Sequence, residues 1–440
     1  MDTSTTQPSH DAAQRTAVLP NSTTHLLERV LCPSNLEQAW KRVRRNKGAP
    51  GIDALSIEDF PAHFREHGQA IVAAVRNGQY QPYPVRRVYI EKEDGSLRGL
   101  GIATVFDRLI QQAIVQVLSP IFDPTFSEYS YGFRPKRSQH QAVRKVQEYI
   151  TEGRKITVDV DLSKFFDRVN HDFLMSLLGK RIRDKALLKL IGRYLRVGMV
   201  EDGVLLECLE GVPQGGPLSP LLSNVVLDLL DKELERRGHK FARYADDFII
   251  LVKSKRAGER VLSSITRFVE RKLKLKVNDQ KSQVCKVSQC KFLGFTFWGK
   301  YLRWHPKALA KFKHEVRQLT GRSWGVSMET KIRELTTYLR GWINYFGIAN
   351  QYQQCVDLDH WIRRRVRMCY WKQWRKPRTK VRNLIKLGVP VKLAISCGIT
   401  SKGYWHSART EGIHRALNDV YLENQGLISL RDRWVKIHYG

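Results

Sequence analysis

The sequence predicts an α+β fold, with mixed strands and helices in the first two thirds and helices alone in the last third. Strand-like alternation flanks the Asp94-Gly95 turn and flanks again the acidic pair Asp246-Asp247. After about Trp298 the strand signal ends, and amphipathic helical spacing takes over from Pro306. A chain of 440 residues is long enough for about two or three domains with a large core.

The chain is strongly basic. Its 75 lysines and arginines outnumber the 43 aspartates and glutamates, which leaves a formal net charge of +32 at pH 7. A charge of this size exceeds what solubility needs and favours a polyanionic partner. Nucleic acid is the first candidate and an anionic membrane surface the second. No apolar run approaches the length that crosses a membrane, so we expect no membrane-spanning segment.

The cysteines and the N-terminus indicate a reducing compartment. The 7 cysteines include no C-x-x-C pair, and Cys285 and Cys290 have no matching pair of histidines downstream. We therefore expect buried free thiols in a reducing cytoplasm, with no disulfide framework and no zinc ribbon. Residues 1–23 are polar and lack the pattern of a signal peptide, so they are predicted to form a disordered tail.

Local signals place the next elements in order. Helical spacing from Thr24 to about Phe64 is interrupted at Asn46–Asp53, where glycines, a proline and a lysine predict a basic loop. Apolar residues on both sides of Asp94-Gly95 predict a hairpin over Arg86–Ile102. An amphipathic helix is predicted from Leu221 to about Arg237, closed by the glycine that follows.

The acidic pair Asp246-Asp247 lies between two apolar runs, within Phe241–Val252. This pattern predicts a hairpin whose tight turn holds two carboxylates that the flanking strands would not accommodate. Aspartate is common in turns for purely conformational reasons, so the pair alone is also compatible with ordinary turn chemistry.

A second acidic site strengthens the functional interpretation. Strand alternation over Ile156–Asp161 puts Asp159 and Asp161 on one face, with Asp161 at the strand end. A carboxylate at a strand end beside an acidic hairpin suits two divalent cations. Magnesium prefers such oxygen ligands, and two ions can activate a 3′-hydroxyl and stabilise a pyrophosphate leaving group.

At these residues the chain resembles the reverse transcriptases, and among them the group II intron reverse transcriptase/maturases. Tyr244-Ala245-Asp246-Asp247 is similar to the catalytic hairpin of the family. Asp161, five residues before Phe166, is similar to the first metal ligand, whereas Asp159 fits that pattern less well. The resemblance implies that the three acids bind two Mg²⁺ ions and that Phe166 excludes ribonucleotides. Phe166 is also compatible with an ordinary core aromatic.

Further segments match the family in order along the chain. The segment Gly211–Pro220 resembles the family loop at the nascent base pair, with Gln214 and Gly215 as contacts; by composition alone it is simply a loop before a helix. Ser130–Pro135 and Phe292–Phe295 match two other family motifs. The hairpin over Arg86–Ile102 is similar to the fingers hairpin of the family and takes that name here. The resemblance implies that its residues Arg87, Lys92 and Arg98 contact the triphosphate and template, and that Lys281 assists the leaving group. It also implies template or primer contacts for the basic loop with Lys47.

The C-terminal third resembles the maturase-specific thumb, or domain X, which binds intron RNA. The matching segment is Tyr338–Phe346, whose apolar residues are as well explained by a bundle core. Between Trp361 and Thr410 there are fourteen basic residues and no acid, interleaved with tryptophans and tyrosines. The expected nucleic-acid contacts are exposed basic residues of this run, namely Arg363, Arg364, Arg365, Arg367 and Lys372.

The resemblance implies a right-hand polymerase in which an antiparallel sheet forms part of a fingers-palm domain. The expected ranges are 1–23 (disordered tail), 24–70 (helical N-terminal extension), 71–298 (fingers-palm domain), 306–376 (thumb of three helices) and 377–440 (basic nucleic-acid-binding segment). The implied partners are intron RNA as template and splicing substrate, a DNA target and primer, and deoxynucleoside triphosphates, in the cytoplasm or on the nucleoid. An HNH endonuclease is expected to be absent, so a nick or a nascent strand would serve as primer.

Two alternatives stay open at this stage. One is a splicing cofactor that binds intron RNA without polymerising, which the intact acidic triad disfavours. The other is a domesticated relative that has kept the polymerase but serves DNA repair or defence.

Overall fold

The computed structural model describes residues 23–91, 95 and 97–440, with Arg98 described by its backbone alone. The described chain forms two compact units. Unit 1 comprises the chain up to Ala142 together with Ile156–Val284, and unit 2 comprises Val143–Lys155 together with Cys285–Gly440. Both helices and strands are present, so the predicted α+β class is confirmed.

Unit 1 is built on two four-stranded sheets. The palm sheet has the order β6-β7-β3-β8 and the fingers sheet the order β2-β1-β4-β5. The strands are β1 (Val85–Glu91), β2 (Leu97–Ile102), β3 (Ile156–Val160), β4 (Met199–Glu201), β5 (Val204–Leu206), β6 (Lys240–Tyr244), β7 (Asp247–Val252) and β8 (Gln283–Lys286), the last of which crosses into unit 2.

In the palm sheet β7 pairs antiparallel with both β6 and β3. In the fingers sheet β1 pairs antiparallel with β2, which confirms the fingers hairpin, and parallel with β4. The helices of unit 1 are α1 (Leu26–Leu31), α2 (Pro33–Arg45), α3 (Phe60–Arg76), α4 (Val105–Phe122), α6 (His171–Gly179), α7 (Lys185–Arg196), α8 (Ser219–Arg236) and α9 (Lys255–Lys272). Helix α5 (Gln139–Thr151) begins in unit 1 and belongs mostly to unit 2.

Side-chain caps begin several of these helices. The Thr104 side chain accepts from the amide of Asp107 at the start of α4, and Asp184 accepts from that of Leu187 at the start of α7. Helix α8 begins with Ser219 followed by proline, and Gly238, with φ +69°, follows its C-terminal end as predicted. One apolar core joins these helices to the palm strands. The strands that carry the acidic residues are therefore packed against the hydrophobic core.

The C-terminal segment of unit 2, from Cys285 onwards, contains a hairpin that the sequence analysis does not predict. Strands β9 (Phe295–Trp298) and β10 (Tyr301–Trp304) pair antiparallel around a turn at Gly299, which has φ +57°. The prediction that strands end at about Trp298 is therefore wrong. Buried Leu302 and Trp304 alternate with exposed neighbours in β10, a period-2 signal too short to stand out in the sequence.

Three long helices follow, as predicted, and six shorter ones come after them. Trp434 in the last helix packs inward, and its indole nitrogen donates to the carbonyl of Ala349 at 2.7 Å. The expected basic C-terminal segment is therefore folded, because buried residues such as Leu422 and Leu430 give it a core. The helices are α10 (Pro306–Leu319), α11 (Met328–Phe346), α12 (Tyr352–Gln373), α13 (Pro377–Lys386), α14 (Val391–Gly398), α15 (Tyr404–Ser407), α16 (Glu411–Ala416), α17 (Asp419–Asn424) and α18 (Leu430–Tyr439).

All seven cysteines are free, as expected, but Cys32 is exposed and the thiols are not uniformly buried. Among the described residues, no helix combines the length and the hydrophobicity that crossing a bilayer requires.

Candidate active site

The acidic turn joins β6 to β7 as a two-residue hairpin. Tyr244 and Asp247 form the last pair of the ladder, so Ala245 and Asp246 make the turn. Ala245 has φ +59°, a left-handed conformation; it costs a residue with a Cβ about 1–2 kcal/mol and persists where the surroundings impose it. The predicted hairpin is confirmed, with Asp246 half-buried and Asp247 exposed at its tip.

Close backbone packing imposes this turn. A Cβ at Gly132 would stand 2.1 Å from the amide nitrogen of Ala245, so only glycine allows the approach. The neighbouring amide of Tyr131 donates to the carbonyl of Arg243 at 2.8 Å. The Ser130–Pro135 segment therefore lies directly against the acidic turn.

Arg243 supports the turn from inside the protein with a fully buried guanidinium. It binds Asp231 through two contacts of 2.8 and 2.5 Å, and it donates to the carbonyl oxygen of Ala245 at 2.8 Å. Asn224 Oδ1 and Ser130 Oγ accept its other protons at 2.9 and 2.7 Å. The five N–H donors of the planar guanidinium are all used by this set of acceptors. Arg243 was not among the predicted site residues. Its position beside apolar strand residues can nevertheless be seen in the sequence.

Asp161 follows the last residue of β3, beside the acidic turn. The β3–β7 register ends with Val160 opposite Phe248, so the next position places Asp161 opposite Asp247. Opposite residues in antiparallel strands have Cα atoms about 4.5–5.5 Å apart. The backbone therefore brings the three predicted acids to one end of the palm sheet, whereas Asp159 lies two positions further inside the strand.

Lys281 belongs to a loop that is tied to the backbone of Asp161. The amide of Asp161 donates to Ser282 Oγ at 3.0 Å, and the amide of Asn278 donates to the carbonyl of Asp161 at 2.8 Å. The amide of Lys281 in turn donates to the carbonyl of Asn278. Lys281 is exposed, so the predicted lysine lies in the loop next to the first acid and is accessible to a ligand.

The three carboxylates supply the oxygen ligands that Mg²⁺ prefers. Within the part of the chain that the structure describes, no three His, Cys, Asp or Glu side chains are grouped so that they alone could hold a metal ion. Magnesium is usually bound by one or two carboxylates while phosphate and water oxygens complete the octahedron. Asp161, Asp246 and Asp247 therefore fit a site that substrate oxygens complete, and they do not form a preformed protein cage.

A cavity of about 400 Å³ in unit 1 brings three other predicted residues together. Arg87 on β1, Phe166 after β3, and Gln214 in the loop before α8 all line it. Phe166 is 8% exposed and packs edge to face on Phe165, with ring centroids 5.1 Å apart. The amide of Val212 donates to the carbonyl of Phe166 at 2.6 Å, which fixes the loop to the aromatic residue.

Gly215 occupies a position that only glycine can fill. Its φ is +114°, and a Cβ there would lie 2.5 Å from the carbonyl oxygen of Gly101 in β2. The amide of Gly101 donates to the carbonyl of Gln214 at 2.7 Å. The close approach expected of these glycines is therefore made to the fingers hairpin, which seals one side of the cavity.

Arg87 presents a donor that the protein does not use. Its Nη1 lies 3.4 Å from Glu201 Oε2. Its Nε is buried and has no hydrogen-bond partner among the described residues. An unsatisfied buried donor costs about 1–3 kcal/mol. The cavity also contains residues that were not predicted, namely Lys164, Asp167, Glu207, Cys208 and Glu210.

Two predicted phosphate contacts cannot be placed by their side chains. Lys92 lies outside the described residues. The backbone of Arg98 belongs to β2, opposite Ile90, but its side chain also lies outside what the structure describes.

The basic loop between α2 and α3 is held against neighbouring elements. Arg86 donates to the carbonyl of Pro50 at 2.8 Å, and Arg108 donates to that of Ala49 at 2.8 Å. Lys47, in the left-handed conformation with φ +46°, is exposed at the start of this loop. The loop is therefore fixed by two arginines while its lysine faces solvent.

The predicted basic residues of α12 occupy two different settings. Arg363 and Arg367 are buried, and they bind Asp419 at 2.9 and 3.1 Å. The expectation that they are exposed is wrong, because the C-terminal helices cover them and bring an acid that neutralises them.

The remaining basic residues of α12 are more accessible. Arg364 lies 3.7 Å above the ring of Trp405 and donates to its carbonyl oxygen at 2.9 Å. Arg365 is half-buried, and Lys372 is exposed at 5.1 Å from the ring of Tyr404. These three residues keep the exposure that a nucleic-acid contact needs.

Two families match this chain. The family described as reverse transcriptase (RNA-dependent DNA polymerase) matches residues 90–297. The family described as the group II intron maturase-specific domain matches residues 309–388. The first match begins at the end of β1 and covers the other seven strands of the two sheets and the acidic turn, and the second begins in α10 and ends just after α13.

Individual relatives agree with these matches. The chain is 34% identical over 315 residues to Protein YkfC of Escherichia coli strain K12, covering 62% of this chain and 81% of that protein. It is 28% identical over 431 residues to the group II intron-encoded protein LtrA of Lactococcus lactis, covering 75% of this chain and 72% of LtrA. It is also 34% identical over 204 residues to a putative COX1/OXI3 intron 1 protein of Saccharomyces cerevisiae, covering 46% of this chain and 24% of that protein. The sheets of unit 1 thus have the reverse transcriptase fold, and the chain belongs to the group II intron reverse transcriptase/maturase family.

Proposed function

We propose that this protein polymerises DNA on an RNA template, copying group II intron RNA, and that it binds the same RNA to promote splicing. The observation that carries the polymerase part is the β3–β7 register, which puts Asp161 next to the turn of Asp246 and Asp247. Carboxylates collected at one sheet end repel one another unless cations share them. In a chain of net charge +32, an acidic site fits metal-assisted nucleotidyl transfer better than it fits RNA binding alone.

We assign Asp161, Asp246 and Asp247 as ligands of two Mg²⁺ ions. When bound, such ions favour ionisation of the primer 3′-hydroxyl and stabilise charge on the departing pyrophosphate. The protein's own contribution is to hold the carboxylates in place, because Arg243 fixes the turn and Ser282 fixes the backbone of Asp161. Positioning of this kind supplies much of the advantage in phosphoryl transfer.

The cavity selects the incoming nucleotide. Phe166 offers a ring edge where a ribose 2′-hydroxyl would need space, so deoxynucleotides are favoured. Gln214 and Gly215 hold the backbone against β2 and shape the side of the cavity that receives the nascent base pair.

Basic residues receive the phosphates. Arg87, which lines the cavity, is assigned to a triphosphate or template oxygen, and Lys92 and Arg98 are assigned to the same task from the resemblance. Lys281 is assigned to assist departure of the pyrophosphate as a proton donor.

RNA and primer contacts are assigned to Lys47, Arg364, Arg365 and Lys372, which are exposed or half-buried. Phosphate neutralisation by such residues supplies most of the affinity for nucleic acid. Arg363 and Arg367, in contrast, are assigned to holding the C-terminal helices through Asp419.

We assign a helical extension to residues 24–70, fingers and palm to 71–298, the thumb to 306–376, and a basic nucleic-acid-binding region to 377–440. Free thiols support action in a reducing bacterial cytoplasm, with association to the nucleoid when DNA is bound. A DNA strand at the target site would serve as primer, and the partners are intron RNA, target DNA and deoxynucleoside triphosphates.

Primer extension tests the polymerase proposal. Purified wild type with Mg²⁺, an RNA template, a DNA primer and dNTPs should extend the primer, and Asp246→Asn should not. Asp172→Asn, at an exposed position of α6, is the matched control and should retain activity.

The binding measurement separates the alternatives. Intron RNA should bind wild type and Asp246→Asn with similar affinity. Absence of extension by wild type, with tight RNA binding retained, would refute the polymerase and favour a splicing cofactor. Equal loss of extension and binding in Asp246→Asn would show that the acids are structural.

A separate variant tests sugar selection. Phe166→Val opens space in the cavity wall, and the preference for dNTPs over rNTPs should fall by about 10–100-fold, a change of about 1.4–2.7 kcal/mol. The ratio of kcat/KM for one rNTP and its dNTP measures this. An unchanged ratio with normal dNTP use would show that Phe166 is only a core residue.

A further inference from the structure

Unit 2 contains a concave basic surface that could not be predicted from the sequence. One cavity of about 420 Å³ is lined by Arg317, Arg322, Trp361, Arg365, Met368 and Trp405. A second cavity, of about 310 Å³, shares Arg322 and extends along the same helix to Lys372. We call the two cavities together the α12 groove.

A single stripe of α12 forms the floor of this groove. Trp361, Arg365, Met368 and Lys372 follow one another at spacings of four, three and four residues, and each lines one of the two cavities. This spacing puts them on one face of the helix. The walls come from other parts of the chain, with Arg317 near the end of α10, Arg322 just after it, and Trp405 in α15.

The positive charge of the groove is not neutralised. No acidic residue lines either cavity. Within the described chain, none of Arg317, Arg322, Arg365 and Lys372 forms an ion pair with a carboxylate. Arg363 and Arg367 on the same helix do have such a partner in Asp419. The sequence thus provides an acid for one face of α12 and leaves the groove face positive.

The groove arginines are held close together despite their like charge. Arg365 donates to Thr320 Oγ1 and to the carbonyl of Arg317, which fixes its guanidinium at the C-terminal end of α10. The guanidinium carbons of Arg317 and Arg365 lie 5.7 and 5.6 Å from the ring centroid of Trp361. Burial lowers the pKa of Arg365 most, and the positive charges of Arg317 and Arg322 lower it further. An anion in the groove would relieve this repulsion.

An accessible aromatic ring completes the groove. Trp405 is 37% exposed, and Arg364 lies 3.7 Å above its ring. Unpaired bases stack on indole rings and on the guanidinium planes of arginines. Substitution of one such stacking side chain lowers the affinity for nucleic acid by about tenfold. Bases in a duplex are already paired and stacked on their neighbours, so only an unpaired base is free to stack on such a ring.

We infer that the α12 groove binds an unpaired segment of RNA, with phosphates on Arg317, Arg322 and Arg365 and a base stacked at Trp405. The choice of RNA rests on the proposed maturase function, because the groove lies in the region that matches the maturase-specific domain and in the helices that follow it. The recognised chemistry is a phosphodiester next to a free base, as found in loops and bulges.

Salt-dependent binding of a single-stranded 20-mer RNA to the full chain tests this inference. Arg317→Ala/Arg322→Ala should reduce the slope of log K against log salt by about 1.4, since each phosphate contact to a single strand contributes about 0.7. The matched control is Arg333→Ala/Arg415→Ala, which removes two exposed, ion-paired arginines from the same unit. The control should leave the slope within error of wild type.

Trp405→Leu separates stacking from charge. It should weaken binding of the single strand by about tenfold with an unchanged salt slope, while binding of a matched RNA duplex should change less than twofold. Groove variants that behave like the control, or that lose duplex and single-strand binding equally, would overturn the inference. Stronger dependence on the groove for single-stranded DNA than for RNA would overturn the choice of RNA.

Primer extension by the same variants distinguishes failure of the groove inference from failure of the polymerase proposal. At saturating template and primer, the groove variants should extend at rates within about twofold of wild type. Failure of wild type to extend would therefore count against the polymerase, and normal extension with an unchanged salt slope would count against the groove.

Discussion

Two arginine sites of this protein differ in how their charge is satisfied. Beneath the acidic turn in unit 1, Arg243 is fully buried and its donors are distributed over a carboxylate, an amide, a hydroxyl and a carbonyl. In the α12 groove of unit 2, Arg317 and Arg322 are exposed and have no carboxylate partner in the described chain. An arginine whose donors all have protein acceptors holds its neighbours in position, whereas an exposed arginine without a carboxylate partner can bind an anionic ligand.

The largest expected effect comes from breaking the buried site. Arg243→Ala leaves the Asp231 carboxylate buried without its partner, so unfolding should become easier by about 3–5 kcal/mol. Urea or thermal denaturation of the full chain measures this loss. Native stability with native extension in Arg243→Ala would contradict the role of Arg243 at the turn.

A double variant separates stability from positioning. Arg243→Met/Asp231→Leu removes both charges, and replacement of a buried ion pair by apolar side chains is often neutral or stabilising. We expect most of the lost stability to return while primer extension stays impaired, because nothing then donates to the carbonyl of Ala245. Recovery of both properties would show that Arg243 serves stability alone.

Within α12, the same comparison applies to neighbouring residues. Arg367→Ala should destabilise the protein by about 2–4 kcal/mol, because it removes a buried donor to Leu417 and Asp419. Arg364→Ala removes only a partly exposed contact to Trp405, so it should change stability by about 1 kcal/mol or less but weaken RNA binding. Denaturation and RNA titration of both variants measure these effects. A large loss of stability in Arg364→Ala, with weakened RNA binding only in Arg367→Ala, would contradict the assignment.

The smallest expected effect concerns a surface pair on α8, the helix that also carries Asp231. Hydrogen bonds from Arg236 and then Arg237 lower the pKa of the Glu233 carboxyl from 4.5 to about 2. The folded state therefore favours the charged form, and this contribution is complete above about pH 4.5 and lost as the pH falls towards 2. Glu233→Gln should be slightly less stable than wild type at pH 6.

That difference should shrink as the pH falls from 5 to 2, which denaturation at several pH values would show. A constant difference across this range would mean that the charge of Glu233 contributes nothing. A difference as large as that of Arg243→Ala would abolish the distinction between buried and exposed ion pairs.

Much of the fold could be predicted because its signals are local. The β6–β7 hairpin is visible as two apolar runs around an acidic turn, and the end of β3 is visible as an alternating strand that reaches Asp161. The three long helices of unit 2 were predicted from the same kind of periodicity. The short β9–β10 hairpin was missed because four alternating residues are too few to be distinctive.

The supporting contacts of the candidate site could not be predicted in the same way. Arg243 is 12 residues from Asp231, 19 from Asn224 and 113 from Ser130. No periodicity links such distant positions. The two faces of α12 were likewise indistinguishable by composition, because the acid that neutralises Arg363 and Arg367 lies in a helix more than 50 residues further on.

The sequence by itself determined the secondary structure that carries the acids, the overall positive charge and the family to which the chain belongs. These properties follow from residue order over a few turns or strands and from sums of charge. Only the tertiary structure decided which arginines are buried against an acid and which line an open groove. The reason is that desolvation and Coulomb energies depend on distances of a few ångströms between residues far apart in the chain, and packing alone sets those distances.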